Sequence, residues 1–205
     1  ERQDKNNIFL INLGNPKHKL SWEKTYLLVN HLSNQISKDI KLGDRCVLIS
    51  ENRPEWMISD LAIMLAGGIS VPSYTTYTTK DYEYIIKDCE PSVLIVSNNT
   101  QFNKIKDILD YKKIKKIISF DRLENLKFQN YLCIEDIINK KDGFENFDSE
   151  ISLKRSDPAC IIYTSGTQGN PKGVILSHGG ILSNCEGGYE LLKSIISKDM
   201  KFLTW

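Results

Sequence analysis

The stretch Tyr163-Thr164-Ser165-Gly166-Thr167-Gln168-Gly169-Asn170-Pro171-Lys172-Gly173-Val174 crowds hydroxyls, glycines and a lysine into one turn between two apolar runs. Such a turn suits an anion. Glycine tolerates positive φ and lets the backbone approach closely, so successive N–H groups can converge on one phosphate. Thr164, Ser165 and Thr167 add hydroxyl donors, and Lys172 adds a mobile ammonium. The generic phosphate-binding loop G-x-x-x-x-G-K-[ST], counted from Gly166, puts Lys172 in its lysine place. The match fails on either side, because Pro171 replaces the second glycine and Gly173 the hydroxyl that would hold magnesium. A strand rather than a helix is also expected to follow, so this is a different phosphate loop.

The elements that must position this turn follow from periodicity. Ser21 is placed to cap a helix whose apolar positions Trp22, Leu28, Val29, Leu32 and Ile36 recur at threes and fours, and which ends before Gly43. A strand over Cys46–Ser50 comes next. Pro54 suits the first turn of a second helix, running to about Ala66, and Glu55 suits its positive end. Gly67-Gly68 stops that helix, and Ile69–Val71 is expected as a strand closed by Pro72, which lacks a donor. A Thr-rich turn, Thr75–Thr79, leads into a helix near Asp81–Asp88. Val93–Ser97 is a strand, Phe102–Tyr111 a helix and Lys116–Phe120 a strand. From Leu123 to Lys154 the pattern weakens, with one helical turn expected at Ile134–Ile138. Ala159–Tyr163 and Val174–Ser177 are strands flanking the turn, and a helix starts near His178. Strands alternating with helices predict a layered α/β domain with a mainly parallel sheet, helices on both faces, and the turn as a mobile hairpin at one end.

Composition removes several function classes. The 205 residues are 40% hydrophobic and 26% charged, with a formal net charge of +1, as in an ordinary globular protein without a bulk charge for nucleic acid. The lysine run Lys104, Lys106, Lys112, Lys113, Lys115 and Lys116, interleaved with Ile105, Ile108, Leu109 and Ile114, reads as a solvated helix face. Cys46, Cys89, Cys133, Cys160 and Cys185 are scattered, as are His18, His31 and His178, so neither a zinc site nor a disulfide framework is expected. The most apolar run, Leu61–Val71, is broken by Gly67 and Gly68 and is too short to span a bilayer.

The turn resembles the signature of AMP-forming acyl- and aryl-CoA synthetases, luciferases and peptide-synthetase adenylation domains, Tyr-Thr-Ser-Gly-Thr-Thr-Gly-x-Pro-Lys-Gly-Val. Gln168 is the one departure, standing where that superfamily usually has Thr. The likeness extends upstream through Glu51-Asn52-Arg53-Pro54-Glu55-Trp56, Ala66-Gly67-Gly68 and Val71-Pro72, in wording closest to long-chain fatty acyl-CoA synthetases. Downstream, Ser177-His178-Gly179-Gly180-Ile181-Leu182-Ser183-Asn184 is similar to the helix start after the loop. Residues 100–155 contribute little.

The resemblance implies that residues 1–205 are an N-terminal part of the large, adenylate-forming domain, with 163–174 as its ATP phosphate-binding loop. It implies a two-step reaction in which a fatty-acid carboxylate attacks the α-phosphorus of ATP and the thiol of coenzyme A then displaces AMP. Thr164, Ser165, Gly166, Thr167, Gln168, Gly169 and Lys172 are the expected phosphate contacts, and Lys172 the expected catalytic group. Magnesium should bridge phosphate oxygens through a carboxylate not found in this chain. In the superfamily the adenine contacts, the magnesium carboxylate, the fatty-acid pocket and a second lysine lie further along, and Phe202–Trp205 looks like the start of another core strand. The 205 residues alone are therefore expected not to form acyl-adenylate. The natural start is expected to lie upstream of Glu1. A cytoplasmic enzyme that visits membranes for its substrate fits, and oligomeric state is open. The alternatives are adenylation for a carrier-protein thiol, and a nucleotide-binding module without catalysis. His178 is weighed evenly between steadying the loop or facing the substrate channel, on one side, and serving as a supporting hydrogen-bonding residue near a helix start, on the other, and Tyr163 is assigned to packing.

Overall fold

A computed structural model describes residues 4–12, 19–138, 147, 151–164 and 171–196. Strands are β1 (Ile8–Ile11), β2 (Lys19–Ser21), β3 (Arg45–Ile49), β4 (Ile69–Ser73), β5 (Val93–Val96), β6 (Lys116–Ser119), β7 (Tyr131–Cys133), β8 (Pro158–Thr164) and β9 (Lys172–Ser177). Helices are α1 (Trp22–Ser37), α2 (Pro54–Leu65), α3 (Thr79–Cys89), α4 (Asn99–Asn103), α5 (Ile134–Ile138) and α6 (His178–Leu192). The strands β1 and β2 pair as a small antiparallel ribbon, and the other seven form one sheet in the order β7-β6-β5-β3-β4-β8-β9. Every pair in that sheet is parallel except β8 with β9.

Strand polarity and helix placement follow from which residues are apolar. In β3 all of Cys46, Val47, Leu48 and Ile49 are fully buried, as expected of a parallel strand covered on both faces. Alternate side chains point opposite ways. Cys46 and Leu48 join Ile95 and Ile118 beneath α1, α2 and α5, where Leu28, Leu32, Ile36, Ile58 and Ile63 pack. Val47 and Ile49 join Val71, Leu94 and Ile117 on the other face, beneath Tyr82 and Ile85 of α3 and Phe102 of α4. Each fully buried aliphatic side chain contributes about 1.5–3 kcal/mol of transfer free energy, so these two layers hold the fold.

Helix ends obey local chemistry. The Ser21 hydroxyl accepts from the Lys24 amide at 3.1 Å and starts α1. Thr78 and Asp81 form a reciprocal capping box at α3. The α2 helix ends in a Schellman pattern, with the Gly67 amide donating to the Met64 carbonyl and the Gly68 amide to that of Ile63. Gly67 sits at φ +82°, a conformation that favours glycine. At the other end of α2, Arg53 forms a bidentate pair with Asp121 at 2.8 and 2.9 Å and also meets Glu55. That pair ties the β3–α2 connection to the end of β6.

Three expectations need correction. The helix predicted over Phe102–Tyr111 is instead the short α4 followed by a 3₁₀ turn at Lys106–Ile108. The lysine run is accordingly no single helix face, and Lys116 is buried in β6 and paired with Asp39 at 2.5 Å. Lys113 and Lys115 pair with Glu90 and Asp44. The strand expected to close at Pro72 runs on to Ser73, with Pro72 opposite Leu48. Pairing of β4 with β8 is confined to Ser70 and Cys160, so toward β8 a missing donor at Pro72 breaks no ladder bond. Phe202–Trp205 and His18 lie outside the described residues, as does the mobility expected of the turn. No described helix is long and apolar enough to cross a membrane.

Candidate functional site

The strands flanking the predicted loop form one hairpin. Antiparallel pairing runs from Pro158 opposite Ser177 to Tyr163 opposite Gly173 and ends with Thr164 opposite Lys172. Both Thr164 and Lys172 are exposed, and among the described residues no carboxylate pairs with the Lys172 ammonium. Ser165, Gly166, Thr167, Gln168 and Gly169 lie outside the described residues. The structure thus brings Thr164 and Lys172 together as Cα partners at the two ends of the turn. Because β8 runs parallel to β4, its turn leaves the sheet at the carboxyl edge, where Ser50, Tyr74, Ser97 and Phe120 also follow their strands. Ligand crevices of open α/β sheets form outside that edge.

The hairpin stem is built around Tyr163. Its side chain is buried against the α3 layer, and its hydroxyl donates to Oδ2 of Asp88 at 2.5 Å. Burial, and then the contact with the Asp88 carboxylate, push the phenol well above its ordinary range. Its main-chain carbonyl receives a long contact, 3.5 Å, from the Tyr77 hydroxyl. Tyr77 stands edge-on to Tyr82, which is fully buried and donates to the Tyr74 carbonyl at 2.7 Å. The tyrosines near the turn are thus core and rim, and Tyr74 alone among these three is mostly exposed, at 66%.

Gly173 is demanded by packing. A Cβ there would stand 2.8 Å from Cγ2 of Ile161, closer than real Cβ atoms come, and 3.3 Å from Cζ of Tyr163, a tight contact. The strand that carries Lys172 therefore lies flat against the Tyr163 ring. Beyond β9, the Ser177 hydroxyl caps α6 by accepting from the Gly180 amide at 3.1 Å. The His178 amide donates to the Asp157 carbonyl, and the Asp157 carboxylate accepts from the Lys154 amide, so Asp157 is the turn residue its place before Pro158 suggests. Nε2 of His178 is buried with no partner among the described residues.

Asp88 was invisible to sequence reasoning. It lies one residue from the end of α3, with nothing local to mark a partner in a strand far along the chain. Among the described residues no group of three or more His, Cys, Asp and Glu is arranged to hold a metal ion.

The fold is that of a doubly wound α/β enzyme domain with a glycine-rich hairpin at the carboxyl edge of its sheet. The chain belongs to the AMP-binding enzyme family, whose description matches residues 1–203. Among curated proteins it is 31% identical over 175 residues to the long-chain-fatty-acid–CoA ligase ACSBG1 of Rattus norvegicus, covering 80% of this chain and 24% of that protein. It is 33% identical over 176 residues to the long-chain-fatty-acid–CoA ligase ACSBG2 of Xenopus laevis, covering 82% of this chain and 23% of that protein. The chain thus spans about a quarter of the length of these curated relatives. Solved structures share the fold. ATP-bound MatB from Rhodopseudomonas palustris superimposes with a TM-score of 0.73 at 23% identity, over 94% of this chain and 36% of that one. The anthranilate CoA ligase AuaEII, in complex with anthranoyl-AMP, gives 0.65 at 24% identity, over 80% of this chain and 30% of that one.

Proposed function

We propose that this chain is the N-terminal part of the adenylate-forming domain of an enzyme that activates a long-chain fatty acid with ATP and passes the acyl group to coenzyme A. A carboxylate oxygen of the fatty acid attacks the α-phosphorus, the bond to the bridging β oxygen breaks, and acyl-adenylate and pyrophosphate result. The sulfur of coenzyme A then attacks the acyl carbonyl, and AMP leaves with the electron pair of the broken C–O bond. Negative charge grows on the departing pyrophosphate in the first step, and donors waiting there lower the barrier. Thr164, Ser165 and Thr167 supply hydroxyls for that purpose, Gly166, Gln168 and Gly169 supply amide hydrogens, and Lys172 supplies the ammonium.

The observation that supports this reading is the pairing of Thr164 with Lys172 at the mouth of the glycine-rich turn, in a chain of the AMP-binding enzyme family. The names of the curated relatives favour a fatty acid as the carboxylate. Because those relatives are about four times longer, the activity is assigned to the intact protein, and the 205 residues alone are expected to be inactive. Exchange of labelled pyrophosphate into ATP by the intact protein tests the assignment. Palmitate should drive the exchange, amino acids should not, and coenzyme A should release AMP. Exchange driven by amino acids, or AMP release that requires a carrier-protein thiol, would replace the fatty-acid reading. Nucleotide binding without exchange would leave a module that holds ATP and does no chemistry.

A further inference from the structure

We infer that Tyr163 and Asp88 are positioning residues that hold Thr164 and Lys172, the two ends of the glycine-rich turn, in place, an inference that rests on the phosphate-binding role proposed for those residues. The need for such a device lies in the sheet. The ladder joining β8 to the rest of the parallel sheet is a single bridge pair, Ser70 with Cys160. From Ile161 to Thr164, β8 pairs only with β9, and β9 is the outer strand of the sheet among the described residues. Beyond that bridge β8 lies beside β4 without further ladder pairing, so side-chain packing must fix how the hairpin sits and where it places Thr164 and Lys172.

Side chains replace the missing ladder. The Tyr163 ring is buried in the α3 layer, and its hydroxyl reaches Asp88 at 2.5 Å, so the residue next to Thr164 is pinned to the last turn of α3. Tyr77, just before α3, adds its contact with the Tyr163 carbonyl. Gly173 lets β9 lie against the same ring, so the strand that bears Lys172 is registered by the same anchor. A hydroxyl donating to a carboxylate is among the stronger neutral-to-charged hydrogen bonds, and its partner here belongs to a well-capped helix packed into the core.

A purely packing role for Tyr163 predicts that the ring matters and the hydroxyl does not, which separates the two accounts. In the intact protein, Tyr163→Phe keeps the ring and removes the tether, Asp88→Ala removes it from the other side, and Asp88→Asn retains an oxygen acceptor. Tyr163→Phe and Asp88→Ala should each raise the KM for ATP in pyrophosphate exchange several-fold while leaving the KM for the carboxylate unchanged. The double variant should be no worse than either single one, and Asp88→Asn should stay close to the parent. Trypsin gives a readout that needs no catalysis, since Lys172–Gly173 is a cleavable bond. Cleavage there should be several-fold faster in Tyr163→Phe and Asp88→Ala than in the parent or Asp88→Asn. Unchanged ATP KM, or KM values that rise alike for both substrates, would overturn the inference even though exchange itself upholds the proposed function. Should the parent exchange nothing, the proposed function falls, and the cleavage rates alone decide the positioning role: equal rates reject it and faster rates in the two variants sustain it.

Discussion

Thr164 and Lys172 are Cα partners in the last rung of the ladder between β8 and β9. A hydroxyl donor and an ammonium are thereby set side by side, about one strand spacing apart, at the end of the ladder. The pairing depends on main-chain geometry and not on any contact between the two side chains. The stem thus contributes these two donors to a ligand without further loss of its backbone freedom.

Lys172→Ala in the intact protein removes the one ammonium of the turn. By analogy with loss of a single donor to a developing oxyanion, kcat for pyrophosphate exchange should fall by about 10- to 100-fold. The hairpin should survive, since Lys172 is exposed and has no ion-pair partner among the described residues. Unchanged melting temperature with reduced exchange is the expected pair of measurements, and undiminished exchange would remove Lys172 from the chemistry.

Gly173→Ala tests the stem by crowding. The added methyl meets Ile161 and the Tyr163 ring at distances that force one strand to lift. Overpacking of this kind costs about 1–3 kcal/mol. The urea midpoint should drop accordingly, and because β9 lifts with Lys172 on it, ATP affinity should drop as well. A stable variant that binds ATP normally would show that the stem yields more easily than its packing suggests.

A pH dependence should come from Asp60. This partly buried carboxyl accepts a hydrogen bond from the Ser70 hydroxyl at 2.5 Å, and burial pushes its pKa up, the Ser70 contact opposing. A carboxyl whose folded pKa exceeds its unfolded value favours folding fully only below the unfolded value, about 4, and that contribution is lost as pH climbs through the folded one. Asp60→Asn keeps an acceptor for Ser70 and cannot ionise. Urea unfolding should therefore find the variant more stable at neutral pH, on the order of 1 kcal/mol, with the gap closing near pH 3. A gap that persists in acid would assign the effect to packing.

Much of this architecture could be read in advance, and the reasons are local. Ser21 before an apolar stripe, Pro54 at a first turn and Gly67-Gly68 at a helix end each state their role through backbone chemistry, and α1 and α2 lie where those residues put them. The buried strands β3, β5 and β8 announced themselves as short apolar runs. The 99–116 region misled because its apolar spacing is helical while the chain turns through α4 and a 3₁₀ segment to bring Lys116 into the sheet against Asp39. The strands β1, β2 and β7 are too short to show a periodicity of their own, so their pairing partners decide them. At the candidate site, the hairpin and its end residues were legible because the turn is dense in glycine and hydroxyls. The tether from Tyr163 to Asp88 was not, since it joins two residues whose neighbourhood exists only after the sheet has closed.

The position of β9 carries a practical consequence. Val174, Ile175 and Leu176 are 45%, 63% and 41% exposed on a strand whose far side has no hydrogen-bonding neighbour among the described residues. Open amides beside greasy side chains invite a stray strand to dock, from another copy or from a nascent chain. Anyone expressing this segment by itself should anticipate inclusion bodies, and a lysine placed at Ile175 would be the first remedy to try.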